Sequence, residues 1–107
     1  MTDVLTPAAV VVASAPSDVR DYCERHGLLD PLELAISLLH SSFPAKRRMA
    51  LTLETDPELG EQSVVIRVEV AGSQEKILEA RRRLMEAWVK QVPQEALEHL
   101  RLAVRAL

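Results

Sequence analysis

Four groups of residues in this 107-residue chain have types and spacings that could do chemistry. Cys23-x-x-His26 has the spacing of half a zinc site, and His40 and His99 are the other imidazoles. A structural zinc site takes four ligands, usually with two or more cysteines. Cys23 is the only cysteine, so Cys23 and His26 are read as residues facing a core, and no metal is expected. His40-Ser41-Ser42 places a base beside two hydroxyls, the ingredients of nucleophilic catalysis. Neighbouring residues on a helix point about 100° apart, so this order does not itself form a nucleophile–base pair. Nor is there a nucleophile elbow, and three glycines cannot make a phosphate loop. No catalytic residue and no cofactor is assigned, and the chain is not expected to be an enzyme. The last two groups are cationic, Lys46-Arg47-Arg48 and Arg81-Arg82-Arg83. Arg47, Arg48, Arg81, Arg82 and Arg83 are the candidate partner contacts, either with a protein or with phosphate.

Composition narrows these choices. Thirteen basic residues against sixteen acidic give a formal charge of −3, unlike a strongly basic nucleic-acid binder. With 48% hydrophobic residues against 27% charged, the chain should fold around a core. Only 3% is aromatic (Tyr22, Phe43 and Trp88), so aliphatic side chains must build most of that core. The same scarcity argues against base stacking on single-stranded RNA. One cysteine excludes an intrachain disulfide, and a reducing, cytoplasmic setting is expected. Ala8 to Ala13 with Ala13-Ser14-Ala15 resembles part of a secretory signal. A basic n-region is missing, because Asp3 is the only charge before Asp18. No stretch approaches the ~18 apolar residues of a membrane span.

The elements that must position these groups follow from spacing. Residues 1–16 hold Pro7, Pro16 and the Val10-Val11-Val12 run, either a loose tail or a short buried strand. Residues 17–107 form a single domain. Ser17 offers an N-cap, and Val19, Tyr22, Cys23 and His26 share one face of a short helix that Gly27 ends. Asp30-Pro31 starts a second helix, in which Glu33 is the only charge between Leu32 and Phe43. A helix so apolar is deeply buried or part of an interface. Pro44 closes it.

A hairpin comes next. Met49, Leu51 and Leu53 alternate with Ala50, Thr52 and Glu54, and Val64, Ile66, Val68 and Val70 with Val65, Arg67, Glu69 and Ala71. Asp56-Pro57-Glu58-Leu59-Gly60 between them has turn chemistry. Pairing Asp56 with Glu61 predicts Leu53 opposite Val64, Leu51 opposite Ile66, Met49 opposite Val68 and Arg48 opposite Glu69. A one-residue slip would turn an apolar row to solvent, which pins this register. Gly72-Ser73 then caps a long helix, Gln74 to Val92, whose apolar face holds Ile77, Leu78, Leu84, Met85, Trp88, Val89 and Val92. Arg81 falls within that face: either its stem packs while the guanidinium reaches water, or it forks onto an acid of the sheet or of a partner. After Pro93 the pattern fits a helix (Ala96, Leu97, Leu100, Ala103, Val104, Leu107) or a strand (Leu100, Leu102, Val104) equally. Such a third strand would lie antiparallel beside the first hairpin strand.

Between Leu28 and Leu102 the chain resembles a group of small uncharacterised bacterial proteins. The shared features are the Leu-rich helix ending in Phe43-Pro44, Leu53-Glu54-Thr55-Asp56-Pro57-Glu58 leading into Val65-Ile66-Arg67-Val68, and Trp88-Val89-Lys90-Gln91-Val92-Pro93 before Leu100-Arg101-Leu102. In such proteins the last segment runs on as a strand, but this chain departs from them at Ala103-Val104-Arg105-Ala106-Leu107. The group is similar to small partner proteins of toxin–antitoxin-like gene pairs, and the resemblance carries over no functional residue.

The expected fold is α+β: two N-terminal helices, an antiparallel β-hairpin with or without a C-terminal third strand, and a long amphipathic helix packed on it. The expected function is a non-catalytic protein-interaction module, antitoxin-like or self-associating, because a small sheet leaves edges open and the second helix wants covering. A nucleic-acid-binding module using the arginine clusters is the first alternative, and a small enzyme the second.

Overall fold

The turn at residues 56–60 sets the register of everything around it. The computed structural model describes residues 8–43 and 46–106. In it the Asp56 carboxylate accepts from the backbone N–H of Glu58 at 2.8 Å and of Leu59 at 3.1 Å. Gly60 takes φ +72°, a left-handed conformation that favours glycine, and its N–H closes onto Asp56 O at 2.8 Å. Asp56 N then donates to Glu61 O at 2.7 Å, the first rung of the hairpin. Strand β1 (Lys46–Thr55) therefore pairs antiparallel with β2 (Gln62–Val70) in the expected register, Leu53 with Val64, Leu51 with Ile66, Met49 with Val68 and Arg48 with Glu69.

Three helices precede the hairpin, α1 (Ala8–Ala13), α2 (Ser17–His26) and α3 (Leu29–Ser42), where the sequence indicated two. The valine run is neither loose tail nor strand. Ala8 and Val12, four residues apart on one face of α1, are buried in the main core, and α1 packs on α3. Residues 1–7 lie outside the described residues, with their share of the tail and signal-like features. Gly27, at φ +65°, ends α2 as expected, with Leu28 N–H bonded to Cys23 O at 2.8 Å. Leu32, Ala35, Ile36 and Leu39 of α3 are fully buried, covered by α1, α2 and the helix that follows the hairpin. Its lack of charge thus reflects a place inside this chain. Pro44 and Ala45 lie outside the described residues.

Ser73 caps α4 (Gln74–Gln91), its hydroxyl accepting from Lys76 N–H at 3.3 Å. Ile77, Leu84 and Trp88 are buried, whereas Leu78 and Val89, read from sequence as part of the same face, stand exposed on its flank. A short α5 (Gln94–Leu97) follows Pro93, and the chain then enters β3 (Leu100–Ala106). The ambiguous tail is helix for one turn and strand afterwards.

The third strand lies beside β2, not β1, and runs parallel to it. This corrects the expected placement, and the sheet is mixed rather than antiparallel. The reason is geometric. An 18-residue helix spans about 27 Å, close to the ~30 Å of a nine-residue strand. So α4, starting where β2 ends, returns the chain to where β2 begins. There Val64 N–H donates to His99 O at 2.8 Å, and Leu100, Leu102 and Val104 fall level with Val64, Ile66 and Val68. That extends the apolar row of the hairpin, while β1 already has α2 against it. Among the described residues no helix is long and apolar enough to cross a membrane.

The two backbone N–H groups on Asp56, Leu59 first and Glu58 second, hold its carboxyl below the usual carboxylate range. Because the folded value is lowered, the stabilisation is present above the usual range and is lost as pH falls through the lowered value. Asp56→Asn keeps one acceptor oxygen but does not titrate. The stability gap between wild type and Asp56→Asn, from urea unfolding followed by Trp88 fluorescence, should be widest at neutral pH and narrow between about pH 5 and about pH 2.

Candidate interaction surface

The sheet has an inner and an outer face, assigned by alternation along each strand. Leu51, Val64, Ile66, Val68, Val70 and Leu100 point inward and belong to the same core as the helices. The opposite face carries Arg48, Ala50, Thr52 and Glu54 on β1, Ser63, Val65, Arg67 and Glu69 on β2, and Arg101, Ala103 and Arg105 on β3. Val65 shows how separate the faces are. It is only 6% exposed yet stands outside the core cluster. Among the described residues no helix packs over this face, and Arg48, Ala50, Glu54, Arg67, Arg101 and Arg105 are exposed.

The pairing register lays these residues out in rows. Arg48, Glu69 and Arg105 form one row across the three strands, and Ala50, Arg67 and Ala103 form the next. The Arg67 guanidinium leaves the gap between the alanines and pairs with Glu54 on β1. This hydrogen bond, opposed by desolvation and reinforced by Thr52 and by the charges of Arg67 and Arg101, lowers the Glu54 carboxyl below its usual range. Arg105 lies 3.9 Å from Glu69. A groove of about 320 Å³ remains over the small residues, lined by Arg48, Ala50, Arg67, Glu69, Ala103 and Arg105. Arg48 and Arg101 have no ion-pair partner among the described residues, so the face carries four arginines against two glutamates.

This arrangement regroups the residues singled out from sequence. Arg48 joins Arg67, Arg101 and Arg105, none of which stood in a basic run. The side chain of Arg47 lies outside the described residues. Arg81, Arg82 and Arg83 are exposed on α4, which covers the inner face, so Arg48 and the α4 arginines are not on one surface. Arg83 is 3.6 Å from Glu79, one turn earlier. Arg81 is exposed and has no carboxylate within salt-bridge distance among the described residues. The signal for the sheet group was the outward phase of each strand. It became readable only once β3 had a neighbour.

A second polar cluster joins α2 to the strand starts. The Tyr22 hydroxyl is 2.8 Å from Gln62 O and 2.7 Å from His99 Nδ1. A carbonyl only accepts, so the hydroxyl donates to Gln62 and His99 donates from Nδ1 to the Tyr22 oxygen. His26 lies against both rings, with centroids 4.3 Å from Tyr22 and 5.1 Å from His99. Burial is the main cause that pushes the Tyr22 hydroxyl above its usual value. Cys23 and His26 do not converge as ligands: Cys23 is buried in the core, whereas His26 is exposed. Burial pushes the Cys23 thiol up to about 11, which keeps it protonated and unreactive at neutral pH. Among the described residues no three His, Cys, Asp or Glu side chains are placed to hold a metal. Ser41 donates to Ser37 O at 3.2 Å, one turn back on α3.

No protein-family model, curated protein or solved structure matches this chain.

Two substitutions separate structural from surface roles. Tyr22→Phe removes a hydroxyl bonded to two groups and should lower unfolding free energy by about 1–3 kcal/mol in urea titration. Arg81→Leu should leave stability within about 0.5 kcal/mol.

Proposed function

We propose that this protein is a non-catalytic interaction module that presents the open face of its sheet to a protein partner. The observation that carries the reading is the asymmetry of the sheet. Its inner face is sealed by helices, while its outer face offers an alanine-lined groove rimmed by arginines. The apolar α3 is satisfied within the chain, which moves the expected contact from that helix to the sheet. An antitoxin-like regulator is the form of module to which the sequence resemblance points, with a cognate protein as the occupant.

Nucleic-acid binding is the second reading, favoured by the same four arginines. Against it, no aromatic side chain lies on the face for bases to stack on, and two glutamates stand among the cations. An enzyme reading finds less support. The histidine and tyrosine that come together engage each other and a backbone carbonyl, and the Ser41 hydroxyl bonds within its own helix.

Site-specific photo-crosslinking tests the proposal. A benzophenone residue at Ala103, in the groove, should capture a discrete protein from an extract of the source cells, and excess unlabelled protein should compete. The same group at Ser37, exposed on α3, should not. Equal capture at both sites, or none at Ala103, would remove the open face as the docking surface.

A further inference from the structure

On the reading that the open face docks a protein, we infer that the segment it receives is acidic, with carboxylates flanking small apolar residues. The chain as a whole is negative, at −3. This face reverses the sign, with Arg48, Arg67, Arg101 and Arg105 set against Glu54 and Glu69. Neutralisation within the face is incomplete. Arg67 is held by Glu54 and Arg105 lies near Glu69, while Arg48 and Arg101 have no carboxylate within salt-bridge distance among the described residues. These two cations stand at opposite corners, Arg48 in one edge strand and Arg101 in the other.

Spacing and floor define the rest of the occupant. Arg48 and Arg105 are separated by two strand spacings, about 10 Å, and Arg101 lies four residues along β3 from Arg105, about 13 Å. A segment crossing from β1 to β3 in the polyproline II form, with three residues per turn, sets acids three residues apart on one side at about 9 Å, near the Arg48–Arg105 spacing. Between the cations the floor holds Ala50 and Ala103, which leaves room for small side chains and offers no aromatic plane to a base. A second copy of the same face is the poorer complement, because it would set excess positive charge against excess positive charge.

Fluorescence anisotropy with a labelled peptide of repeating Glu-Ala-Ala units tests this, with a matched Lys-Ala-Ala peptide and an oligouridylate of equal charge beside it. The acidic peptide should bind saturably, weaken as salt shortens the Debye length from about 10 Å to about 3 Å, and be preferred over both other probes. Arg101→Glu with Arg105→Glu should weaken it about tenfold or more. Arg82→Glu with Arg83→Glu, on the other layer, should change it less than about twofold. Arg101→Gln with Arg105→Gln, an intermediate loss, covers the case in which the reversal perturbs folding as seen by circular dichroism. Tighter binding of the oligouridylate, no binding of the acidic peptide, or an equal effect of the α4 changes would overturn the acidic assignment. Crosslinking at Ala103 together with indifference to these arginines would mean the acidic assignment failed while the docking face stood.

Discussion

Strand β2 is hydrogen-bonded along both edges, to β1 on one side and β3 on the other, and Val64, Ile66, Val68 and Val70 on its inner face are almost completely buried. Each such side chain contributes roughly 1.5–3 kcal/mol by leaving water, and none can move without breaking rungs on two sides. The inner row of β1, the inner row of β3 and the buried faces of α3 and α4 are all defined against this strand. So is the direction of β3, because α4 leaves from one end of β2 and is long enough to return the chain to the other.

That central strand has an outer side as well, and its residues inherit the same fixed register. Val65 is buried outside the core cluster, while Arg67 and Glu69 stand between facing residues of β1 and β3. Packing that gathers aliphatic residues on one face therefore also gathers dispersed cations on the other. Arg48, Arg67, Arg101 and Arg105 span 57 positions of sequence between first and last, yet stand within three adjacent strands. The exposed pairs Arg67–Glu54 and Arg105–Glu69 add little to stability, as surface pairs generally do. Their consequence is electrostatic, a face of opposite sign to the whole chain.

The three aromatics occupy a different role from that of a ligand site. Tyr22, Phe43 and Trp88 are all buried, one each from α2, the end of α3 and α4. Tyr22 keeps a polar end, which reaches Gln62 and His99 and so ties α2 to the beginnings of β2 and β3. The partners of that hydroxyl are 40 and 77 residues away, so no spacing rule could have found them. His99 looked like a spare ligand from the sequence and turned out to be a junction.

What the sequence determined by itself were the features with short-range causes. The 56–60 turn, the hairpin register, the Gly27 stop and the Ser73 cap all follow from backbone preferences and hydrogen bonds within a few residues, and all are present in the structure. The residues after Pro93 were ambiguous because a short apolar run satisfies helix and strand alike, and Val10 to Val12 were read as tail or strand, not as the helix they form. Tertiary packing decided both, α1 by burial against α3 and β3 by the open edge of β2. It also decided the candidate site. Charge runs along the chain mark solvated stretches, whereas a binding face is made by residues that only strand pairing brings side by side, and that pairing depends on where a 18-residue helix sets the chain down.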